Sequence, residues 1–532
     1  MKKIDTGNSS FEKLIMNENL YVDKTNFLYN LITDGGTYYF CSRPRRFGKT
    51  LMLSTLEAIF KGKKELFKGL YIDSTDYDWE KYPVIHLDFS LLDTSSAKLL
   101  KKDLANRMIS IAEKYGITVK DSGSPKAVYL KVISELAEIN KVVILIDEYD
   151  NPLSRNIQSS KLQVIRDAIR DFFDVVKGSS PYLRFCLITG ITRFSKVSIF
   201  SAMNNLTDIS MKDEYATAFG YTQDELEKNF SAYIDKAVSE NGSITGDEYL
   251  SQVKNWYNGY RFSPKSETVY NPVSIGSFFE NGGNLFINYW INTGGMTSLL
   301  VDVARHVKFD FNTDEELSVS LNKIMTVDII QMAQTEISKE NFIALLYQSG
   351  YLTIKNAMPI GGSYLLSFGY PDKEVEQGLT EILLPVYLGS AAKKFASFNI
   401  LKFFYLGEIA KAIEIFEDIF ASISYHELVF NAENAWHASM SSMLRLMGAD
   451  IVDERTTSIG RIDCVLRCPE KIYIIEYKFN QSAEDAIRQI KENRYFEPYL
   501  SSKEEVHLLG INFSTSKRNI IEWKDERFPS CD

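Results

Sequence analysis

The sequence predicts an α/β protein of several domains, and three observations lead there. Short, strongly apolar runs alternate with amphipathic stretches over the first third, the pattern of a parallel sheet covered on both faces. A mainly helical region follows, and strands return near the C-terminus. The chain has 532 residues, too many for one hydrophobic core.

Taken in order, Tyr38 to Cys41 reads as the first strand, followed by a loop and a helix-like stretch from Leu51 to Phe60. Pro83 to Phe89 is the second strand, and Ser96 to Tyr115 carries apolar residues at helical spacing. Val142 to Ile146 is a third, very hydrophobic strand before a helix from about Leu162 to Val176. Arg184 to Thr189 is a fourth, ending at Gly190. Thr222-Gln223-Asp224-Glu225 has capping-box spacing and opens a helix. Trp256 to Phe262 places Asn258-Gly259 between aromatic flanks, which predicts a tight hairpin. Leu345 to Ile354 reads as a short helix leading into a strand, as in a small winged-helix-like module, and Ile400 to Ser424 as strongly helical. No internal repeat or low-complexity tract appears. The expected domains are residues 1–215, 216–398 and 399–532.

A net charge of −10 argues against a uniformly basic surface, although a whole-chain sum says little about one groove. Local charge gathers at Arg43, Arg45, Arg46 and Lys49, and again at Lys478, Arg488, Lys491, Arg494, Lys503, Lys517 and Arg518. The five cysteines are scattered and odd in number, which suits a reducing cytoplasm. Cys464 and Cys468 lack a second pair or neighbouring histidines, so they read as semi-buried thiols rather than zinc ligands. No export segment follows Met1-Lys2-Lys3, and no run of about 18 uncharged apolar residues predicts a membrane span. A cytoplasmic protein without membrane contact is expected.

Arg43-Pro44-Arg45-Arg46-Phe47-Gly48-Lys49-Thr50 lies between strand and helix and reads as a phosphate-binding loop (P-loop) for ATP. Gly48 lets the backbone curl so that amides point at an anion, Lys49 reaches the β/γ-phosphates, and Thr50 offers a hydroxyl to Mg²⁺ at a helix N-terminus. Arg43 stands where the usual pattern begins with glycine. Its Cβ restricts close approach to phosphate, for which the charges of Arg43, Arg45 or Arg46 compensate. Slow hydrolysis, or binding without turnover, would suit such a loop. The segment Val142 to Asp150 then delivers an acid pair: Asp147 to hold Mg²⁺ through water and Glu148 to polarise the attacking water. Ligands of such sheets lie at the carboxyl ends of strands, so Asp88, Asp147, Glu148, Thr189 and Thr192 are expected to face the loop. Thr189 or Thr192, and Arg193, are candidates for sensing the γ-phosphate.

A second chemistry sits near the C-terminus. Gly460 to Leu466 and Ile472 to Lys478 read as a hairpin turning around Cys468-Pro469-Glu470. Side chains alternate along a strand, so Glu476 and Lys478 share a face, with Asp463 on the neighbouring strand. Two hard carboxylates suit Mg²⁺ or Mn²⁺, which polarises a phosphodiester and acidifies its water, while Lys478 positions that water or steadies the transition state. Glu433, on a preceding helix, is a further candidate metal ligand. Gln489, on the following helix, is expected to orient substrate or Lys478.

With both sites assembled, the chain resembles the AAA-ATPase-like family whose members carry a C-terminal PD-(D/E)XK nuclease domain. The resemblance rests on Tyr21 to Thr25, RPRRFGKT at 43–50, LIDEYD at 145–150, Thr189 to Lys196, WYNGYRF at 256–262, Gly460 to Asp463, Glu476-Tyr477-Lys478 and Gln489. Arg43 in place of the first loop glycine also resembles that family's pattern. The resemblance implies a P-loop parallel-sheet domain, a helical or winged-helix-like middle, and a C-terminal α/β restriction-endonuclease-like domain. Related nuclease domains often carry a tyrosine four residues after the glutamine; here position 493 is Asn and Tyr495 falls on another helical face.

Two functions compete. One is an ATPase coupled to a metal-dependent nuclease acting on nucleic acid, DNA before RNA. The other is a nucleotide-dependent switch whose nuclease-like domain binds nucleic acid or a protein without cleaving. A kinase is weaker, because no acceptor-site pattern accompanies the loop. Oligomeric state is left open by the sequence.

Overall fold

In the computed structural model of the chain, the apolar runs of the first third become strands and the periodic stretches helices. Helices α1 (Phe11–Met16) and α2 (Thr25–Thr33) precede β1 (Tyr38–Ser42), which feeds α3 (Lys49–Phe60). Then come β2 (Val84–Asp88), α4 (Ala97–Lys114), α5 (Pro125–Ala137), β3 (Val142–Asp147), α6 (Asn151–Ser154), α7 (Leu162–Gly178), β4 (Leu183–Gly190) and β5 (Thr207–Asp208). The strands form one sheet in the order β2-β3-β4-β1-β5, and every pairing in it is parallel. All six residues of β3 are buried, as a central strand covered on both faces must be. The structure describes residues 1–120, 123–157, 159–192, 206–242, 244–291, 300, 317–326, 338–388, 400–422, 440, 444, 449–456 and 461–528.

The chain divides into two compact units, Met1–Met296 with His306–Glu376 and Thr297–Arg305 with Gln377–Asp532. The first continues through α8 (Gln223–Asn241), whose Thr222 and Glu225 complete the expected capping box. Next are α9 (Gly246–Tyr257), β6 (Asn258–Tyr260), β7 (Val269–Tyr270) and α10 (Pro272–Glu280). The tight hairpin expected at Asn258-Gly259 does not form. Trp256 and Tyr257 end α9, and β6 instead pairs with β7 across a longer connection. Gly259 serves another purpose: a Cβ there would stand 1.8 Å from the Pro371 carbonyl oxygen, so the glycine permits a close backbone approach rather than a turn. Farther on, β8 (Ser318–Ser320), the helix Lys339–Ser349, β9 (Thr353–Ile360) and β10 (Ser363–Gly369) make a three-stranded antiparallel sheet with its helix, ordered β8-β10-β9. This is the winged-helix-like element.

In the second unit, the helical stretch is two helices, Ile400–Leu406 and Ile409–Ser422, separated around Gly407. A mixed sheet follows: β11 (Asp450–Thr456), β12 (Arg461–Arg467), β13 (Lys471–Phe479), β14 (Glu505–Ser514) and β15 (Asn519–Arg527), in that order. The pair β12 and β13 is the expected hairpin, closed by the Cys468 amide donating to the Lys471 carbonyl at 2.7 Å. Only β13 and β14 run parallel, and the helix Ala483–Glu492 provides their crossover. Strand alternation sends Tyr473, Ile475 and Tyr477 into a core with the two helices around Gly407. It sends Ile472 and Ile474 into a second core with Ile487 and Ile490 of the crossover helix. Glu476 and Lys478 continue that second face.

Candidate functional site

The phosphate loop leaves β1 through Arg43, whose amide still donates to the Gly190 carbonyl at 3.1 Å. Gly48 takes φ +85° directly before α3, a conformation for which glycine carries no Cβ penalty. Arg46 (φ +68°) and Glu148 (φ +48°) are also left-handed without being glycine, and such outliers gather at functional sites. The loop borders a cavity of about 560 Å³ lined by Arg45, Arg46, Phe47, Gly48, Lys49 and Thr50. Glu148 and Asn151 also line it.

Lys49 is buried, and its Nζ donates to the carbonyls of Arg43 (3.0 Å) and Pro44 (2.9 Å). Burial depresses its pKa, opposed by the nearby Asp147, Glu148 and Asp150. A bound phosphate would offer this ammonium a charged partner in place of two neutral carbonyls. Asp147, at the end of β3, accepts from Thr50 Oγ1 and from Thr189 Oγ1, each at 2.6 Å. The acid and the loop hydroxyl that were expected to share Mg²⁺ are therefore already adjacent. Glu148 has a pKa raised chiefly by burial, and its Oε2 accepts from the Asn151 amide at 3.2 Å. Asp150 is a clamp between strand ends: its Oδ2 accepts from the Thr192 amide (2.8 Å), the Thr192 hydroxyl (2.7 Å) and the Ile191 amide (3.1 Å).

Several expected residues are placed differently. Arg43 does not line the cavity. Its guanidinium is 1 % exposed, donates to the carbonyls of Ser42, Ser210 and Tyr215, and lies over the rings of Phe262 (4.3 Å) and Phe219 (5.0 Å). The arginine thus anchors the start of the loop from behind, because carbonyls and aromatic faces replace the water that a buried guanidinium loses. Phe47 points the same way, edge-on to Tyr260 (4.7 Å) and Phe262 (5.2 Å). The WYNGYRF segment is consequently the seat of the loop. Asp88, in register beside Asp147, accepts from the Ser90 amide at 2.8 Å, and Thr192 is engaged by Asp150; neither is among the residues lining the cavity. Arg193 lies outside the described residues.

In the second unit, Asp463 Oδ2 accepts from the Tyr477 amide at 2.9 Å, which ties the β12 acid to the strand carrying Glu476 and Lys478. Lys478 Nζ donates to Gln489 Oε1 (2.5 Å) and to Glu476 Oε1 (3.3 Å). Gln489 Nε2 closes the ring by donating to Glu476 Oε1. Glu476 is only 2 % exposed, and its Oε2 has no hydrogen-bond partner among the described residues. Burial, and then the neighbouring Asp463, push its pKa up to about 8. A buried carboxylate oxygen without a donor therefore lies on the strand to which the Asp463 carboxylate is tied, and oxygen donors of this kind are those that hard divalent cations take. Glu433 lies outside the described residues. Among the described residues, no group of three or more His, Cys, Asp or Glu comes together. Tyr495 is packed in the core, where the Asn493 amide donates to its hydroxyl at 3.0 Å.

Comparisons with known proteins match both regions of the chain that carry these residues. A family model described as a predicted AAA-ATPase matches residues 5–200. Another, described as the PD-(D/E)XK nuclease superfamily, matches residues 431–523. The chain is also 32 % identical over 533 residues to an "Uncharacterized protein in vnfD 5'region" of Azotobacter chroococcum mcd 1, with 98 % of each chain covered. The chain belongs to the AAA-ATPase-like proteins that carry a C-terminal PD-(D/E)XK nuclease domain.

In this AAA-ATPase-like protein, sequence reasoning missed the roles of Asp150 and Asn151. Both stand in or next to the LIDEYD run, so their position was visible but their partners were not. It also gave the Tyr21 to Thr25 segment no task. Tyr21 and Lys24 line the same cavity, and Lys24 Nζ bridges the Thr217 carbonyl (2.7 Å) and Glu225 (2.6 Å). None of the described helices is long and apolar enough to cross a membrane.

Proposed function

We propose that the protein binds and hydrolyses ATP with Mg²⁺ in its N-terminal cavity. We further infer that this nucleotide cycle governs a metal-dependent nuclease in the C-terminal domain, acting on DNA in preference to RNA, in the cytoplasm. The division into residues 1–215, 216–398 and 399–532 belongs to this reading. The observation that carries it is the Glu476, Lys478 and Gln489 ring beside Asp463, with one Glu476 oxygen left for a cation, in the same chain as a loop lysine and a Thr50–Asp147 pair.

At the first site, Lys49 and the loop amides would bind the phosphates, with Arg45 and Arg46 adding charge. Thr50 and Asp147 would hold Mg²⁺, Thr189 would orient Asp147, and Glu148 would position and deprotonate the attacking water. The raised pKa of Glu148 suits a base. At the second site, Asp463 and Glu476 would hold Mg²⁺ or Mn²⁺, which supplies Lewis-acid polarisation of the phosphodiester and an acidified water. Gln489 would fix the Lys478 ammonium, and Lys478 would steady charge on the phosphorane-like transition state.

The test is cleavage of linear and circular DNA with Mg²⁺ or Mn²⁺, with and without ATP. Cleavage by the wild type that is lost in Asp463→Ala and Lys478→Ala supports a nuclease; equal cleavage by the variants marks a contaminant. If nothing is cut but DNA binding falls steeply with salt, by about 0.9 log units per phosphate contact and log unit of salt, the domain binds without cleaving.

A further inference from the structure

The end of the cavity that holds Glu148 also holds a cation that the motif pattern does not single out. Arg155 follows α6, seven residues after Glu148, and lines the cavity with Ser90, Glu148, Asn151 and the Lys49-Thr50 pair. Its main chain is fixed: the Arg155 amide donates to the Asn151 carbonyl at 3.0 Å, and Pro152 and Leu153 between them are buried. Its side chain is exposed, and among the described residues no ion pair or side-chain hydrogen bond engages the guanidinium. The lining also includes the aromatic rings of Tyr21, Phe219 and Tyr221, faces on which a nucleoside base can stack.

We propose that Arg155 binds the terminal phosphate of a nucleoside triphosphate from within the same chain. This rests on the reading of the cavity as a nucleotide site. A triphosphate brings about four negative charges, and anions of this kind are neutralised most effectively by guanidinium forks. Arg43, the loop arginine nearest β1, is withdrawn behind the loop and does not line the cavity, so its guanidinium offers no direct contact there. Arg155 stands on the same short strut as Asn151, whose amide holds Glu148. The group that would orient the water and the group that would bind the γ-phosphate are therefore positioned by one rigid segment, and neither needs a neighbouring subunit. During hydrolysis the water oxygen joins the γ phosphorus, the bond from that phosphorus to the β–γ bridging oxygen breaks, and the water proton passes to Glu148. The charge that builds on the γ oxygens is what Arg155 would meet.

The experiment compares binding of ADP and of a non-hydrolysable ATP analogue, both with Mg²⁺, to wild type, Arg155→Ala and Arg155→Lys, together with ATP turnover. Arg155→Ala is expected to weaken the ATP analogue about tenfold or more, to leave ADP within about twofold, and to lower kcat about 10²-fold or more, with Arg155→Lys intermediate. Equal weakening of both nucleotides, or of neither, overturns the assignment. Mixing Arg155→Ala with Lys49→Ala protein is expected to restore no turnover; restored turnover would show that the arginine acts across subunits. Normal ATP-analogue binding by Lys49→Ala alone would instead remove the nucleotide site, which separates that failure from the failure of Arg155.

Discussion

The two sites treat their acids in opposite ways. At the phosphate loop, Asp147 accepts from two hydroxyls and Lys49 rests on two carbonyls, so the charged groups are engaged before any ligand arrives. At the C-terminal site, Glu476 is buried with one oxygen unpartnered among the described residues and a pKa pushed to about 8. The first arrangement would have to exchange those partners for a ligand's. The second retains a carboxyl that burial and Asp463 keep protonated to higher pH against the pull of Lys478, so that a further cation close by would favour its ionised form.

Breaking the second site has the largest expected effect. Asp463→Ala or Lys478→Ala should lower DNA cleavage about 10³-fold while leaving ATP affinity unchanged, measured by gel cleavage and nucleotide titration on the same preparations. A matching loss of ATP affinity would mean that the two sites are not separable.

The seat of the loop comes next. Gly259→Ala forces a Cβ against the Pro371 carbonyl and should cost about 3 kcal/mol in urea unfolding. Phe262→Ala removes the ring over Arg43 and should cost about as much. If either variant unfolds like the wild type, the loop is not held from behind.

At the first site, Lys49→Ala should weaken ATP about 100-fold, the worth of a charge-assisted contact to phosphate. Glu148→Gln should bind normally and stop turnover.

A further test separates the acids by pH. Between the ordinary Glu value of 4.5 and about 8, the unfolded Glu476 carboxyl is ionised while the folded one keeps its proton. The unfolded state then binds fewer protons, so metal-free stability falls as pH rises through that window. Urea midpoints at pH 5.5 and 8 should show the drop, Glu476→Gln should flatten it, and added Mg²⁺ should oppose it at the higher pH. A wild-type midpoint that rises over this range would contradict the burial argument.

The sequence was informative wherever chemistry is local. The apolar runs became β1 to β4 because a short β-branched or aromatic run between helices has one economical burial, a central parallel strand. The Thr222 capping box is a four-residue pattern and formed as read. The hairpin of β12 and β13, with Glu476 and Lys478 on one face, follows from the twofold alternation of a strand. What failed was local pattern serving a distant contact. Asn258-Gly259 has the composition of a turn, but the glycine is needed for the approach of residue 371, which no window around 259 contains. Arg43 likewise belongs by position to a phosphate loop, while its partners are residues 210, 215, 219 and 262.

By itself, then, the sequence determined the strand and helix content, the identity of the loop and of the acid, glutamate and lysine group, and the family they resemble. The tertiary structure decided which of those side chains face a cavity and which hold the scaffold. It turned Arg43 inward, paired Asp147 with Thr50, left one oxygen of Glu476 unpartnered among the described residues, and brought Arg155 to the cavity. The physical reason is that a residue's type fixes what it can bind, whereas burial and long-range partners fix what is left for it to bind.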